Sequence, residues 1–251
     1  MPEFILHTAA SRGKADHGWL LSYHTFSFAN YYDEDRIHFG ALRVLNDDKV
    51  APGMGFGTHP HQNMEIISIP LSGDLEHKDS LGTTAVISTR DSMSNVAVIK
   101  NGDIQVMSAG SGIMHSEYNK NKDKEVCFLQ IWVIPNQMNV TPRYDQITID
   151  QEKSNNALQQ LLSPNKEDAG VWIHQDAWFH LGNFSKDSEF SYTLKKEGNG
   201  LYVFLLSGTL MVETYTLSAR DGIGITEFEK LDFKASSDLS VLLMEVPMLK
   251  F

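Results

Sequence analysis

The sequence has few of the features that mark disulfide-bonded, secreted or membrane-spanning proteins. Its single cysteine, Cys127, cannot form an internal disulfide, and it lies in an apolar run where a buried thiol is the ordinary state. No apolar stretch approaches the roughly 20 residues that span a bilayer, and the first residues lack the basic and apolar parts of a signal peptide. These absences predict a soluble cytoplasmic protein that does not bind membranes.

Positive charge is also scarce. There are 21 Lys and Arg residues against 32 Asp and Glu residues, which gives a formal net charge of −11. An acidic surface repels phosphate groups, so direct binding to nucleic acid or to an anionic membrane is not expected. A protein partner, or a small uncharged or metal-chelating ligand, is compatible with this charge.

Several common catalytic signatures are missing as well. The sequence has no G-x-S-x-G nucleophile elbow, no glycine-rich phosphate loop with a lysine, and no C-x-x-C pair. Gly110 and Gly112 lead to His115 and not into a helix, which argues against a dinucleotide-binding glycine motif. Serine-hydrolase, nucleotide-binding and thiol-redox chemistries are therefore poorly supported.

Helical periodicity is scarce, whereas short strand-like runs recur along the chain, and this pattern predicts an all-β barrel or sandwich. The predicted strands are Ile37–Val44, Thr58–Leu71, Asp74–His77, Val96–Ile99, Ile104–Ser108, Cys127–Ile134, Leu201–Leu206, Thr209–Thr214 and Leu239–Val246. One helix is predicted at Ser154–Leu162, where Ser163 and Pro164 would end it.

Two pairs of metal-ligand residues stand out. His59 and His61 follow a glycine-rich approach, and on a strand both imidazoles would point to one face, with Cα atoms roughly 6.5–7 Å apart. His115 and Glu117 have the same spacing after a second glycine-rich turn. Three imidazoles and a carboxylate suit Fe, Ni, Co, Mn or Zn. Because such a set leaves one or two positions of an octahedral ion open, it predicts a reactive metal site.

A weak internal repeat indicates how the chain is divided. Leu71-Ser-Gly73-Asp-Leu resembles Leu206-Ser-Gly208-Thr-Leu, and each predicts a strand, a tight turn and a returning strand. Alignment of the halves on these turns places no histidine or carboxylate of the second half at the metal-ligand positions of the first. The predicted domains are therefore a metal-binding barrel at 1–135, a polar connection at 136–170, and a barrel without metal ligands at 171–251.

The spacing from Gly53 through the histidine pair to Gly73 resembles the first motif of the cupin superfamily. The run from Gly102 to Glu117 resembles the second motif, although Ser108 replaces the usual proline. These departures resemble the pirin family, as do His24-Thr-Phe-Ser-Phe, Leu129-Gln-Ile-Trp-Val and Ile173-His-Gln-Asp-Ala, so the likeness to short bacterial pirins covers both halves. It implies a bicupin of two stacked antiparallel jelly-roll barrels with short helices. It also implies metal ligation by His59, His61, His115 and Glu117.

The resemblance further implies quercetin 2,3-dioxygenase activity, in which O2 opens a flavonol ring and CO is released. Fe(II) is the expected metal, with Ni, Co, Mn or Zn as alternatives, and Glu117 is expected to serve as ligand and as general base for the flavonol 3-hydroxyl. Pirins are also associated with protein partners that include transcription regulators. A metal-dependent interaction module without a physiological dioxygenase role is therefore the alternative, and a cupin-type sugar isomerase or epimerase is a third.

Three residues near these motifs are expected to have other roles. On a continuous strand Glu65 would share the face of the first histidine pair, which favours a role in orienting an imidazole. His77 is equally compatible with a pocket-lining and a solvated position, and its charged neighbour Asp79 is expected at an exposed edge. His24 is expected to be a structural histidine whose hydrogen bonds are satisfied.

Overall fold

A computed structural model describes residues 1–81 and 96–249, and β-strands dominate that part of the chain. The strands up to residue 150 are β1 (Glu3–His7), β2 (Gly13–Asp16), β3 (Leu20–His24), β4 (Leu42–Val50), β5 (Gly55–His61), β6 (Glu65–Ser72), β7 (Leu75–Asp79), β8 (Val96–Ile99), β9 (Asp103–Ser108), β10 (Ile113–Asn119), β11 (Val126–Val133) and β12 (Arg143–Thr148). The later strands are β13 (Leu158–Ser163), β14 (Val171–Trp172), β15 (Trp178–Phe184), β16 (Glu189–Thr193), β17 (Asn199–Ser207), β18 (Thr209–Val212), β19 (Tyr215–Ser218), β20 (Gly222–Thr226), β21 (Lys230–Ala235) and β22 (Leu239–Pro247). Within the described ranges the helical structure consists of a 3-10 turn at Ala9–Ser11.

The strands form two barrels of the same design. In the first barrel, a 7-stranded sheet with the order β12-β9-β6-β11-β4-β3-β2 faces a 4-stranded sheet with the order β5-β10-β7-β8. In the second, a 7-stranded sheet with the order β1-β20-β17-β22-β15-β13-β14 faces a 4-stranded sheet with the order β16-β21-β18-β19. This arrangement confirms the predicted all-β bicupin. Among residues 1–81 and 96–249, no helix is long and apolar enough to cross a membrane.

The main hydrophobic core lies between the barrels, where the two larger sheets pack face to face. It joins Leu45 and Ile131 of the first barrel to Phe204 and Leu242 of the second. The second barrel has an interior of its own, filled by apolar side chains such as Phe233. The first barrel is packed at one end around Phe128 and at the other around Met107. The space between these two clusters is where polar groups enter its interior.

Three sequence-based predictions of local structure are wrong. The predicted helix Ser154–Leu162 is replaced by β13, because pairing with β15 buries Leu161 and Leu162 in the core between the barrels. The predicted strand Ile37–Val44 is shifted to β4, since Gly40 turns the chain with a φ of 52°. The predicted strand Thr58–Leu71 is divided into β5 and β6 at Asn63, which has a φ of 51°.

Three strands lie outside the regions to which the predicted boundaries would assign them. β13 falls within the predicted connection at 136–170, although it pairs with β15 of the second barrel. β1 pairs with β20 of the second barrel, although it falls within 1–135. β12 pairs with β9 of the first barrel, although it falls within the predicted connection at 136–170. The division at 135 and 170 stays a prediction. The pairings show that each barrel includes a strand from outside its predicted range.

Candidate metal centre

The predicted histidines meet where β5 pairs with β10. His59 is directly opposite His115 in the antiparallel register, and His61 is opposite Ile113. The ring centroids are 4.8 Å apart for His59 and His61, 4.4 Å for His59 and His115, and 4.8 Å for His61 and His115. One nitrogen from each ring lies within 4.8 Å of the others. Antiparallel pairing of β5 with β10 thus brings together residues that are far apart in the sequence.

The protonation states of these rings suit metal binding. Burial lowers the pKa of His115 to about 2, with further lowering by His77, His59 and His61, and burial followed by His59 lowers the pKa of His61 to about 4. Both rings are therefore neutral at physiological pH, and neutral imidazole is the form that binds a metal. Both nitrogens of His115 are buried without a hydrogen-bond partner. His59 Nδ1 lies 2.7 Å from the carbonyl oxygen of Gly57, which leaves its Nε2 for an ion.

Glu117 lies on the same strand, beyond a β-bulge that shifts the register between His115 and Glu117. Its carboxylate is fully buried and accepts hydrogen bonds from Ser68 Oγ to Oε1 at 3.0 Å and from Gln130 Nε2 to Oε2 at 2.9 Å. It forms a second potential metal-binding group with His77 and His115. The four predicted residues therefore occupy two overlapping groups that share His115, and a His/Glu set of this kind suits a divalent transition metal.

His77 is a member of this cluster that the sequence left undecided. It is buried on β7 opposite Glu117, and its ring centroid is 5.1 Å from that of His115. Its Nε2 lies 3.3 Å from Asp79 Oδ2, so the side chain of Asp79 is turned inward and the predicted exposed position of Asp79 is wrong. The alternation of Leu75, His77 and Asp79 on one strand face is the signal that indicates this placement.

The predicted role of Glu65 in orienting an imidazole is wrong. The break at Asn63 removes the continuous alternation that would have placed Glu65 beside the histidines. Instead, Ser108 Oγ donates to Glu65 Oε2 at 2.7 Å, and the backbone of His174 also forms a hydrogen bond to the carboxyl group. Burial raises the pKa of Glu65 to about 7, against these hydrogen bonds and the positive charge of Arg143. Glu65 belongs to the contact between the barrels.

A cavity of about 400 Å³ opens beside the histidine cluster. One side is formed by His59 and His61 of the smaller sheet, and His61 packs edge-on against Trp132 with ring centroids 5.0 Å apart. Its other large apolar side chains are Trp19, Leu20, Phe28 and Phe56. A concave, largely aromatic site of this size is typical of a pocket for a small planar ligand.

The larger sheet contributes polar side chains to the same cavity. They are Ser22, His24, Asn46, Asp48 and Gln130. His24 Nδ1 and Asn46 Oδ1 are buried without a hydrogen-bond partner, so the prediction that His24 is a satisfied structural histidine is wrong. The local sequence signal is the pairing of two polar alternations, Ser22 with His24 on β3 and Asn46 with Asp48 on β4.

Family models match most of the chain. The model described as Pirin matches residues 6–90 and 86–133. The model described as the quercetinase C-terminal cupin domain matches residues 160–246.

Relatives and solved structures agree with these matches. The chain is 38% identical to a quercetin 2,3-dioxygenase from Escherichia coli over 96% of its own length and 98% of that protein. It is 36% identical to a pirin-like protein from Caulobacter vibrioides, over 93% of its own length and 95% of that protein. A crystal structure of a bacterial pirin from Escherichia coli in complex with nickel(II) superposes with a TM-score of 0.89 and 36% identity, covering 98% of this chain and 100% of the other.

Proposed function

Because the chain belongs to the pirin family, we propose that it is a metal-dependent dioxygenase that opens the ring of a quercetin-like flavonol with O2 and releases CO. The observation that carries this proposal is that His59, His61 and His115 form one cluster, and that His59 and His61 of this cluster line an aromatic cavity. A flavonol has a 3-hydroxyl beside a carbonyl, and this pair of oxygens chelates a metal. A planar substrate bound in the cavity would present that pair to the histidine cluster.

The ligands in this proposal are His59, His61, His115 and Glu117, and the proposed metal is Fe(II). Nickel is the first alternative, because the Escherichia coli pirin was crystallised with nickel(II). Cobalt, manganese and zinc also accept imidazole and carboxylate ligands. A bound divalent metal supplies Lewis-acid chemistry that makes the flavonol 3-hydroxyl more acidic, together with a site at which the substrate and O2 can meet.

Glu117 is the proposed acceptor of the 3-hydroxyl proton. Ser68 and Gln130 each donate to one of its oxygens, so the carboxylate is fixed in position while each oxygen keeps a lone pair for another contact. A general base must lie within hydrogen-bond reach of the proton that it removes, and the position of this fixed carboxylate beside His115 supports that role for Glu117. The aromatic walls formed by Trp19, Phe56 and Trp132 would exclude water from the reacting oxygens.

The proposal is tested with purified protein loaded separately with Fe(II) and Ni(II) and supplied with quercetin. We expect O2 consumption, CO release and loss of the flavonol absorbance in equal amounts. His115→Ala should lower the affinity for the metal by more than 10- to 100-fold, which is the typical cost of removing a residue that only hydrogen-bonds a metal ligand. His38→Ala is the matched control, because His38 bonds the carbonyl oxygen of Gly40 and does not line the cavity.

Wild-type protein that binds metal but yields neither O2 consumption nor CO would overturn the proposed activity. Retention of full metal content in His115→Ala would overturn the ligand assignment. The alternative of a metal-dependent interaction module stays a prediction, as does a cytoplasmic location. A pull-down that recovers one defined partner with metal-loaded protein and not with His115→Ala would favour that alternative.

A further inference from the structure

The wall of the cavity that faces the histidine cluster carries an ordered polar patch. β3 and β4 are neighbours in the larger sheet, and His24 is directly opposite Asn46 while Ser22 is directly opposite Asp48. Because residues two apart on a strand share a face, Ser22 and His24 point to the same side as Asn46 and Asp48. The four side chains therefore form a two-by-two group. All four line the cavity. We call this group the β3–β4 patch.

The two cross-strand pairs of the β3–β4 patch, Ser22 with Asp48 and His24 with Asn46, differ in their hydrogen bonding. Ser22 Oγ donates to Asp48 Oδ1, so this pair is internally satisfied. His24 is 3% exposed and Asn46 1% exposed, yet His24 Nδ1 and Asn46 Oδ1 have no hydrogen-bond partner. An unpaired buried polar atom costs about 1–3 kcal/mol. The chain therefore maintains two such atoms on directly opposed residues of a cavity wall.

Other buried asparagines of the protein show the usual arrangement. The side-chain amide of Asn119 bonds the carbonyl oxygens of Val50, Ala51 and Lys124, and its oxygen accepts from Asn121. The amide of Asn199 bonds Glu245 and the carbonyl oxygen of Asp176. Asn46 lacks such a partner for its oxygen although it is equally buried. The difference is its position on the cavity wall.

We propose that His24 and Asn46 form a hydroxyl-recognition site, which selects aromatic substrates that carry ring hydroxyl groups in addition to the metal-chelating pair of oxygens. A hydroxyl group donates one hydrogen bond and accepts others, so it can accept from His24 Nδ1–H and donate to Asn46 Oδ1. Directly opposed residues on antiparallel strands have Cβ atoms about 4.5–5.5 Å apart, a separation that one hydroxyl group can bridge. The inference rests on the proposed function, because it assumes an aromatic substrate held at the histidine cluster.

The surroundings of the pair favour an aromatic ligand over a sugar or a peptide. The ring of His24 packs edge-on against Phe28 at 5.2 Å, and Phe28 packs edge-on against Trp132 at 5.4 Å. The polar pair is thus set among aromatic side chains. In an apolar pocket, a small number of polar groups fixes the orientation of the ligand.

The test compares two flavonols on the metal-loaded protein. Quercetin carries four ring hydroxyl groups besides the chelating 3-hydroxyl, whereas 3-hydroxyflavone keeps the chelating pair and lacks the others. Binding is measured by quenching of tryptophan fluorescence, since Trp19 and Trp132 line the cavity, and turnover is measured as kcat/KM. We expect the wild type to favour quercetin by about 10- to 100-fold in both quantities, as loss of a partner for one or two buried polar groups would cause.

The informative variants are Asn46→Leu and His24→Phe, which keep the volume and remove the polar atoms. Each should lower the preference for quercetin by at least tenfold while binding of 3-hydroxyflavone and metal content stay within a few-fold of the wild type. Their thermal stability should stay equal or rise, because each variant removes an unpaired buried polar atom. His174→Phe is the control, since His174 lies beside Trp172 outside the cavity.

The outcomes separate the inference from the proposed function. Equal binding and turnover of the two flavonols by the wild type, or an unchanged preference in both variants, would overturn the hydroxyl-recognition site and leave the dioxygenase proposal standing. A wild type that binds quercetin over 3-hydroxyflavone, loses this preference in the variants and turns over neither compound would support the site and overturn the dioxygenase proposal.

Discussion

Glu65 is an acid whose charge depends on its burial between the barrels. It is 1% exposed, and burial raises its pKa from 4.5 to about 7. At a pH between these two pKa values, Glu65 keeps its proton in the folded protein and has released it in the unfolded chain. The free energy of unfolding therefore falls as the pH rises from 4.5 to 7, by roughly 3 kcal/mol for this group at 1.36 kcal/mol per pKa unit.

Glu65→Gln should make stability less sensitive to pH in this window. The amide cannot ionise, so the variant loses the contribution of Glu65 to the fall, while Asp48 keeps a contribution of the same sign because burial raises its pKa to about 7 as well. Urea unfolding at pH 5 and pH 7 measures the difference, and Glu152→Gln is an exposed control. Curves for wild type and Glu65→Gln that run parallel across the window would contradict this expectation.

At the scale of elements, the turn between β9 and β10 sets the approach to His115. Gly110 has a φ of 47°, and a Cβ atom at this position would lie 2.0 Å from the carbonyl oxygen of Val140. Gly53 also has a positive φ, of 66°, but a Cβ atom there would meet nothing within 4 Å. Both glycines avoid backbone strain, and only Gly110 also avoids a collision.

This difference allows a matched comparison of Gly110→Ala with Gly53→Ala. Each substitution should cost about 1–2 kcal/mol through the left-handed backbone conformation. Gly110→Ala should cost an additional 1–3 kcal/mol, because the backbone of Val140 must move. Thermal unfolding of both variants and metal titration of Gly110→Ala provide the measurements. Equal melting temperatures for the two variants would contradict the predicted collision.

Short-range patterns were sufficient to predict much of the candidate centre and of the strand content. The i, i+2 spacing of His59 and His61 works because both residues lie within one strand, and Val96–Ile99 is a strand with the predicted bounds. The face of Glu65 could not be predicted in this way, since one residue with a positive φ ends the alternation.

β13 was mistaken for a helix because its leucines are fixed by a partner strand and a distant core, and such tertiary contacts override local preference. The polar roles of His24 and Asp79 likewise depend on neighbours from other strands.

At the scale of the whole molecule, β1 connects parts of the chain that are far apart in the sequence. It forms the edge of the larger sheet in the second barrel, with Glu3 opposite Thr226 and His7 opposite Gly222. His7 Nδ1 also lies 2.9 Å from the hydroxyl oxygen of Tyr202, which is buried in the core between the barrels. The N-terminal strand is therefore part of the structural support of the second barrel.

Removal of residues 1–8 should destabilise the second barrel more than the first. The backbone groups of β20 that pair with β1 would be exposed at a new sheet edge, and Tyr202 would lose its partner. Hydrogen exchange should become faster at Ile223 and Ile225, with smaller changes in β10 of the first barrel. A chain that lacks only residues 1 and 2 is the control, because the pairing begins at Glu3. Uniform acceleration in both barrels would contradict this prediction.

The pairing of β1 with β20 also sets an order of events during synthesis. A ribosome releases the segment Glu3–His7 before any strand of the first barrel, but its partner Gly222–Thr226 emerges only after all of them. β1 therefore stays without its partner strand while the first barrel is synthesised. Contacts between residues this distant in sequence form slowly. Completion of the larger sheet in the second barrel thus waits until β20 has been synthesised, so this sheet matures after the first barrel.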